Sequence, residues 1–239
     1  MPIDPEALTS SIAGLAELSA AGEGLGRALE LVVEETNRMF AVDGAGLMLL
    51  AQGDVLRYVA ASDDRGRLLE KIHVEVGEGP CMDAFDDDRP AVAADVARDQ
   101  RWPSFGRLAG QHDIAGVLGV PVGLESGPVG TLNVYSTESH DWDEGEIEAM
   151  QAYARVVASV LRTAVDAHLQ GKVAEQLKYA LDHRVVIEQA KGVLMEREGL
   201  DQGAAFELLR HRARARRERV VDVARRIVAG EPLESAPQS

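Results

Sequence analysis

The apolar residues of this chain follow two spacings that no single layer of structure accommodates. Between residues 44 and 136 they come in short runs separated by Gly, Asp or Pro, and from residue 143 they recur at helical spacing for most of the remaining sequence. A strand sends successive side chains to opposite faces, whereas a helix lines one stripe every 3.6 residues, so the two stretches must pack differently. Six runs read as strands: "GAGLMLL" (44–50), "VLRYVAA" (55–61), "HVEV" (73–76), "AVAADV" (91–96), "AGVLGVPVGL" (115–124) and "PVGTLNVYS" (128–136). Ser126-Gly127 supplies the turn chemistry for a hairpin between the last two. Residues 5–40 have a helical pattern, interrupted by "AGEGLG" (21–26), with Leu25, Leu29, Val32 and Val33 on one face. Helix, strands and helix in that order predict an α+β domain over residues 1–165.

After Asp143, Ile147, Ala154 and Leu161 are seven apart, and so are Met150, Val157 and Ala164. Two such series fit a helix that pairs with another helix, and they equally fit a long helix covering its own sheet. A helical pattern continues from Val173 to Glu198, with Gly171 as a joint before it. Gly199 is placed to end that helix and Asp201 to cap the next, "GAAFELLRHRAR". A last helix, "VVDVARRIV", stops at Gly230-Glu231-Pro232. Residues 166–232 therefore read as an all-α domain, and residues 233–239 as a disordered tail.

The net charge of −15, taken whole, opposes nucleic acid as a partner. The average conceals a split. Residues 172–230 hold thirteen basic and nine acidic side chains, a net of +4, which leaves −19 on the rest. Two modules with different partners are expected. The opening "MPIDPEALTSS" lacks the basic and apolar regions of a secretory signal, and no apolar run is long enough to span a bilayer. A single cysteine, Cys81, fits a reducing compartment, so a cytoplasmic protein without membrane partners is expected.

Most catalytic chemistry finds no footing here. There is no Walker lysine loop, no His-Glu-x-x-His and no Cys-x-x-Cys. "GEGLG" (22–26) follows no strand, so it lacks the context of a dinucleotide fingerprint. "DAFDDDRP" (83–90) lacks the glycine and closing glutamate of a calcium loop. The six histidines show no ligand spacing, and His183 and His211, among charged residues, are expected at the surface. Neither an enzyme nor a metal site is expected.

Four stretches resemble a GAF domain: "VGEGPCMDAF" (76–85), "DRPAVAADV" (88–96), "RWPSFGRLA" (101–109) and "GVLGVPVGLESGPVGTLNVYS" (116–136). Their order and spacing match that family over most of residues 5–165. The resemblance implies a sensor with a central antiparallel sheet, flanking helices, and a pocket that in some members takes a cyclic nucleotide, a tetrapyrrole or another small ligand. It leaves the ligand or cofactor unassigned. It also implies pairing through terminal helices, hence a homodimer. Cys81, after "GEGP", stands in a loop where such domains line their pocket, and Phe85, Trp102 and Phe105 are further lining candidates. Each has a plain structural role as well, Cys81 as a small hydrophobe and the aromatics as core anchors. Some GAF-like proteins reduce methionine sulfoxide, but that chemistry needs several cysteines.

"ALDHRVVIEQAKGVLMEREGL", "AAFELLRHRA" and "VVDVARRIVAG", in that order, are similar to an ANTAR domain over about residues 172–230. The resemblance implies a three-helix RNA-binding module that takes paired hairpins in nascent transcripts and stops terminators from forming. Leu177, Leu181, Ile187, Val193 and Leu194 can supply core contacts, and Arg184 and Lys191, seven apart, share a helix face. Gly192 costs its helix about 1 kcal/mol relative to alanine. It would let another backbone approach, either a neighbouring helix or an RNA phosphate. Arg210, Arg214 and Arg217 are spaced for one face, Tyr179 is a candidate to stack on a base, and Phe206 is a core candidate. Arg217 and Arg219 stand where the family pattern carries an asparagine and a lysine, so either the second helix is longer or the turn is built differently. A helix-turn-helix DNA-binding protein, and an adaptor whose basic helices bind an acidic partner such as its own sensor domain, remain alternatives.

Overall fold

A computed structural model describes residues 25–51, 55–124, 127–166, 172–216 and 218–231. The stretch 5–24 of the first predicted helix, Ser126 of the predicted turn, Gly171, Arg217 and the predicted tail 233–239 lie outside the described residues. The chain divides into two compact units between Lys178 and Tyr179.

The first unit runs α1 (Leu25–Phe40), β1 (Gly44–Ala51), β2 (Val55–Ala61), α2 (Asp64–Val76), α3 (Pro80–Asp87), β3 (Ala91–Ala93), α4 (Pro103–Gly110), β4 (Gly116–Leu124), β5 (Gly127–Ser136) and α5 (Glu144–Asp166). The five strands form one antiparallel sheet in the order β2-β1-β5-β4-β3. β1 is buried at every residue, which its composition of Gly, Ala, Leu and Met permits. α1 packs on β1 and β2, α5 packs on β4 and meets α1, and α2 and α3 pack against the sheet as well. The expected α+β class and antiparallel sheet are present, and Leu124 pairs with Gly127 at the β4–β5 hairpin.

Two predicted strands fare differently. "HVEV" is the last turn of α2, not a strand. Val76 continues the helical stripe of Leu68, Leu69 and Ile72, while Val74 is exposed. Gly77, at φ 68°, then ends the helix in the left-handed conformation and donates its N–H to His73. "AVAADV" pairs only over Ala91–Ala93, after which Asp95 turns the chain by accepting from the N–H of Ala97 at 3.0 Å. Cys81, predicted in a loop, lies in the first turn of α3 behind Pro80 at the helix start. Met150, Ala154, Val157 and Leu161 are buried in a helix packed on β4 and α1, so the heptads of α5 serve the chain's own sheet.

Asp63 fixes the entry to α2. One carboxylate oxygen caps the helix by accepting from Gly66 N–H at 2.6 Å, and the other accepts from the Tyr135 hydroxyl of β5 at 2.6 Å. Asp63→Ala removes both bonds. It should lower the unfolding free energy by about 1–3 kcal/mol, read from the urea midpoint.

The second unit is built on α6 (Lys172–Glu198), in which the division falls, α7 (Gln202–Arg216) and α8 (Val220–Val228). Its core joins Ala190, Leu194, Leu209, Ala213, Val223 and Ile227, with Ile187, Val193 and Phe206 packed against it. Gly199 at φ 67° follows α6, and Asp201 caps α7 through the N–H of Ala204 at 2.8 Å, both as the sequence predicts. α7 ends at Arg216 and Arg219 stands at the N-cap of α8.

Candidate functional site

Asn133 marks a polar spot in the otherwise apolar interior of the first unit. In the sheet register it lies opposite Gly46 of β1 on one side and Gly119 of β4 on the other. A Cβ at Gly46 would collide with the carboxylate of Glu70, and one at Gly119 would come within 3.1 Å of Cys81 Cα and 3.2 Å of Asn133 Oδ1. The missing side chains let α2 bring Glu70 and α3 bring Cys81 down onto Asn133.

Asn133 Nδ2 donates to Glu70 Oε1 at 2.8 Å and to Thr131 Oγ1 at 3.2 Å. His73 Nδ1 lies 3.0 Å from the carbonyl of Leu69, and Nε2 lies 3.4 Å from the N–H of Cys81. The carbonyl can only accept and the N–H can only donate, so the proton sits on Nδ1. Phe105 lies against the imidazole with ring centroids 4.2 Å apart. A carboxylate oxygen of Glu70, a ring nitrogen of His73 and the Cys81 sulfur lie within 4.8 Å of one another, all fully buried. Burial pushes the Glu70 carboxyl up to about 8, the bond from Asn133 opposing it. Burial pulls His73 down to about 3, and burial with the nearby Glu70 charge raises the Cys81 thiol. Glu70 Oε2 and Asn133 Oδ1 are buried without a hydrogen-bond partner among the described residues.

Of the predicted pocket residues, Cys81 belongs to this cluster and Phe105 covers it. Trp102 and Phe105 join an apolar core with Leu69, Ile72, Ile114 and Tyr135, and Phe85 is half-buried. Trp102 Nε1 donates to Asp83 at 3.1 Å. The "GEGP" stretch has two jobs: Glu78 accepts from the N–H groups of Ser104 and Phe105 at the start of α4, and Gly79, at φ 132°, leaves room for His73. A groove of about 640 Å³ is lined by Glu70 with Arg57, Tyr58, Arg67, Lys71 and Gln176 among others, and by none of the four predicted residues. Sequence reasoning missed Glu70, His73 and Asn133. The usable signal was an asparagine inside the apolar run 128–136.

In the second unit, Lys191 Nζ lies 2.8 Å from Glu188 and Arg184 3.4 Å from the same carboxylate, so the predicted pair shares a face and one partner. Both cations lie over the Phe206 ring, at 5.4 and 5.7 Å. Arg210 pairs with Glu207 at 3.0 Å. Arg184, Lys191 and Arg210 are all at most 6 % exposed. Arg214 lies in α7, and Arg219 is exposed and holds Asp222 at 2.7 Å. Gly192 is exposed, and a Cβ there would meet nothing within 4 Å, so helix packing does not account for it. His183 is buried rather than on the surface: its Nε2 lies 2.6 Å from Arg225, its Nδ1 2.8 Å from the carbonyl of Tyr179. Tyr179 already stacks on His183, with centroids 3.6 Å apart. Asn133→Ala strips the amide donor from Glu70. It should cost about 1–3 kcal/mol, seen as a lower urea midpoint at unchanged slope.

A buried polar site inside an α+β unit, followed by a helical unit with clustered cations, is the organisation of a signal-sensing regulator. A GAF domain model matches residues 23–162 and an ANTAR domain model residues 175–228. The chain belongs to the GAF domain family, and its GAF domain is followed by an ANTAR domain. It is similar to the GAF domain of an Acinetobacter phosphoenolpyruvate-protein phosphotransferase, with a TM-score of 0.52 at 15% identity over 70% of this chain and 99% of that one. The GAF domain of the Coxiella burnetii phosphoenolpyruvate-protein phosphotransferase gives 0.51 at 20% identity over 67% and 96%. Among curated proteins, a nitrate regulatory protein of Klebsiella oxytoca is 34% identical over 94 residues, 39% of this chain. The chain covers only 23% of that relative's length. Among the described residues no helix is long and apolar enough to cross a membrane.

Proposed function

We propose that this regulator is a transcription antiterminator, in which the state of the GAF domain controls an ANTAR module that binds paired RNA hairpins in nascent transcripts. The observation that carries the reading is the shared seat of Arg184 and Lys191 on Glu188, with Lys191 next in sequence to the open Gly192. A phosphate offers the same oxygen acceptors as a carboxylate and more of them, so RNA would take the place of Glu188. Gly192 provides a spot on α6 where a second backbone can approach closely, at a helix cost that no contact among the described residues explains. Arg210, Arg214, Arg217 and Arg219 would add phosphate contacts. No step of this function makes or breaks a covalent bond, so no enzyme is invoked. The nitrate regulatory relative supports the regulatory reading. Two copies of the chain in the cytoplasm would present two modules to two hairpins, gaining affinity by linkage rather than by new contacts.

The test is a titration of the full chain, at fixed salt, against a two-hairpin RNA and a DNA duplex of equal charge. Tight RNA binding with weak DNA binding, lost when Arg184→Ala and Lys191→Ala are combined, is expected. Equal weak binding to both would overturn the reading. Glu188→Gln should tighten RNA binding, because it removes the competing carboxylate.

One observation favours a second occupant for the Gly192 face. Val185 and Met195, 47% and 38% exposed, flank the glycine along α6 and suit a helix from a second copy better than a phosphate. Gly192→Ala distinguishes the two. The substitution should stabilise the fold by about 0.5–1 kcal/mol in either case. Loss of RNA affinity assigns the face to RNA, and loss of self-association in sedimentation assigns it to the second copy.

A further inference from the structure

We propose that Glu70, His73, Cys81 and Asn133 form a closed binding site for one divalent transition-metal ion of the zinc class. Three donors of three kinds lie within 4.8 Å of one another there, a carboxylate oxygen, an imidazole nitrogen and a sulfur, and the amide of Asn133 is hydrogen-bonded to the first of them at 2.8 Å. Both oxygens without partners, Glu70 Oε2 and Asn133 Oδ1, are acceptors, so the site is short of positive charge or of donors. An anion would add to that deficit. Among the described residues no ammonium or guanidinium group bonds to any of the four side chains.

A proton on Glu70, which burial favours, removes the charge but leaves the hydrogen bonding incomplete. On Glu70 Oε2 it would need an acceptor within hydrogen-bond reach. The facing ring nitrogen of His73 is 3.8 Å away and already directs its own N–H to Leu69. A divalent ion resolves the deficit completely. With Glu70 as carboxylate and Cys81 as thiolate, the two negative charges cancel the ion, and neutral His73 and Asn133 complete a neutral set inside an apolar shell. The thiol proton, and the carboxyl proton where present, pass to solvent as the ion enters.

The outer contacts suit the same role. A ligating histidine ordinarily donates its second N–H to a carbonyl or carboxylate, and His73 Nδ1 does this to Leu69, so the ion would take Nε2 in place of its long 3.4 Å contact with the N–H of Cys81. Zinc–ligand bonds of about 2.0–2.3 Å put tetrahedral donors roughly 3.3–3.8 Å apart. The present spread of up to 4.8 Å therefore needs a contraction of about an ångström on binding. Mixed sulfur, nitrogen and oxygen donors select zinc, cobalt(II) or ferrous iron over magnesium and calcium, which take oxygen alone. The inference needs no part of the RNA-binding reading, because it is read from metal content and spectrum.

The experiment uses the full chain stripped with chelator and titrated with Co²⁺, once folded and once during refolding from urea so that the ion can reach the closed interior. One equivalent should bind in at least one arm, with a thiolate-to-cobalt band in the near ultraviolet and visible bands of four-coordinate cobalt, and one equivalent of Zn²⁺ should displace it. Cys81→Ser should lose the near-ultraviolet band, and Asn133→Ala should weaken binding by at least about tenfold. No uptake in either arm, uptake without the thiolate band, or a band that survives Cys81→Ser would each overturn the assignment. The wild-type spectrum decides the matter even if a variant fails to fold.

Discussion

Asp63 is the point from which the interior of the GAF domain is arranged. With one oxygen it starts α2 and with the other it binds the Tyr135 hydroxyl, so the helix and strand β5 are held by one side chain. Two helical turns from that anchor, Glu70 faces Asn133, and His73 follows a further turn on. Because Tyr135 and Asn133 are on the same strand, two apart, the anchor and the polar spot share one register. Displace the start of α2 and the contact between Glu70 and Asn133 goes with it.

Much of the architecture was legible because its signals are local. The runs at 44–50, 55–61 and 128–136 are bounded by turn residues, and each is a strand. Asp201 and Gly199 mark a helix boundary by chemistry that needs no partner elsewhere in the chain. "HVEV" failed because four residues satisfy both periods, and the helix is revealed only when Asp63, Leu69 and Gly77 are read together. The polar site failed for a deeper reason. Glu70, His73, Cys81 and Asn133 are brought together by the pairing of three strands and the descent of two helices, and no sequence interval encodes that meeting. Cys81 was visible as the only cysteine, but its neighbours were not.

The second unit shows the opposite imbalance. Its identity was readable almost literally, while the state of its cations was not. Arg184, Lys191 and Arg210 each have a glutamate three or four residues away, at the spacing where opposite charges meet on a helix. Reading the basic residues as a face overlooked those partners. The open Gly192 corrects the sequence in the other direction: a close helix contact was one of its two expected purposes, and the described residues provide none.

The glycines beside Asn133 also bear on how such a domain changes over generations. Glycine and alanine codons differ by a single base, and one methyl at Gly46 collides with the Glu70 carboxylate. The polar interior is therefore one mutation from being crowded shut, with the sheet pairing around it left to backbone hydrogen bonds that the methyl does not touch. A domain of this kind can lose its polar interior and keep its shape. Glycine or alanine at this position would then record, lineage by lineage, whether the interior is still in use.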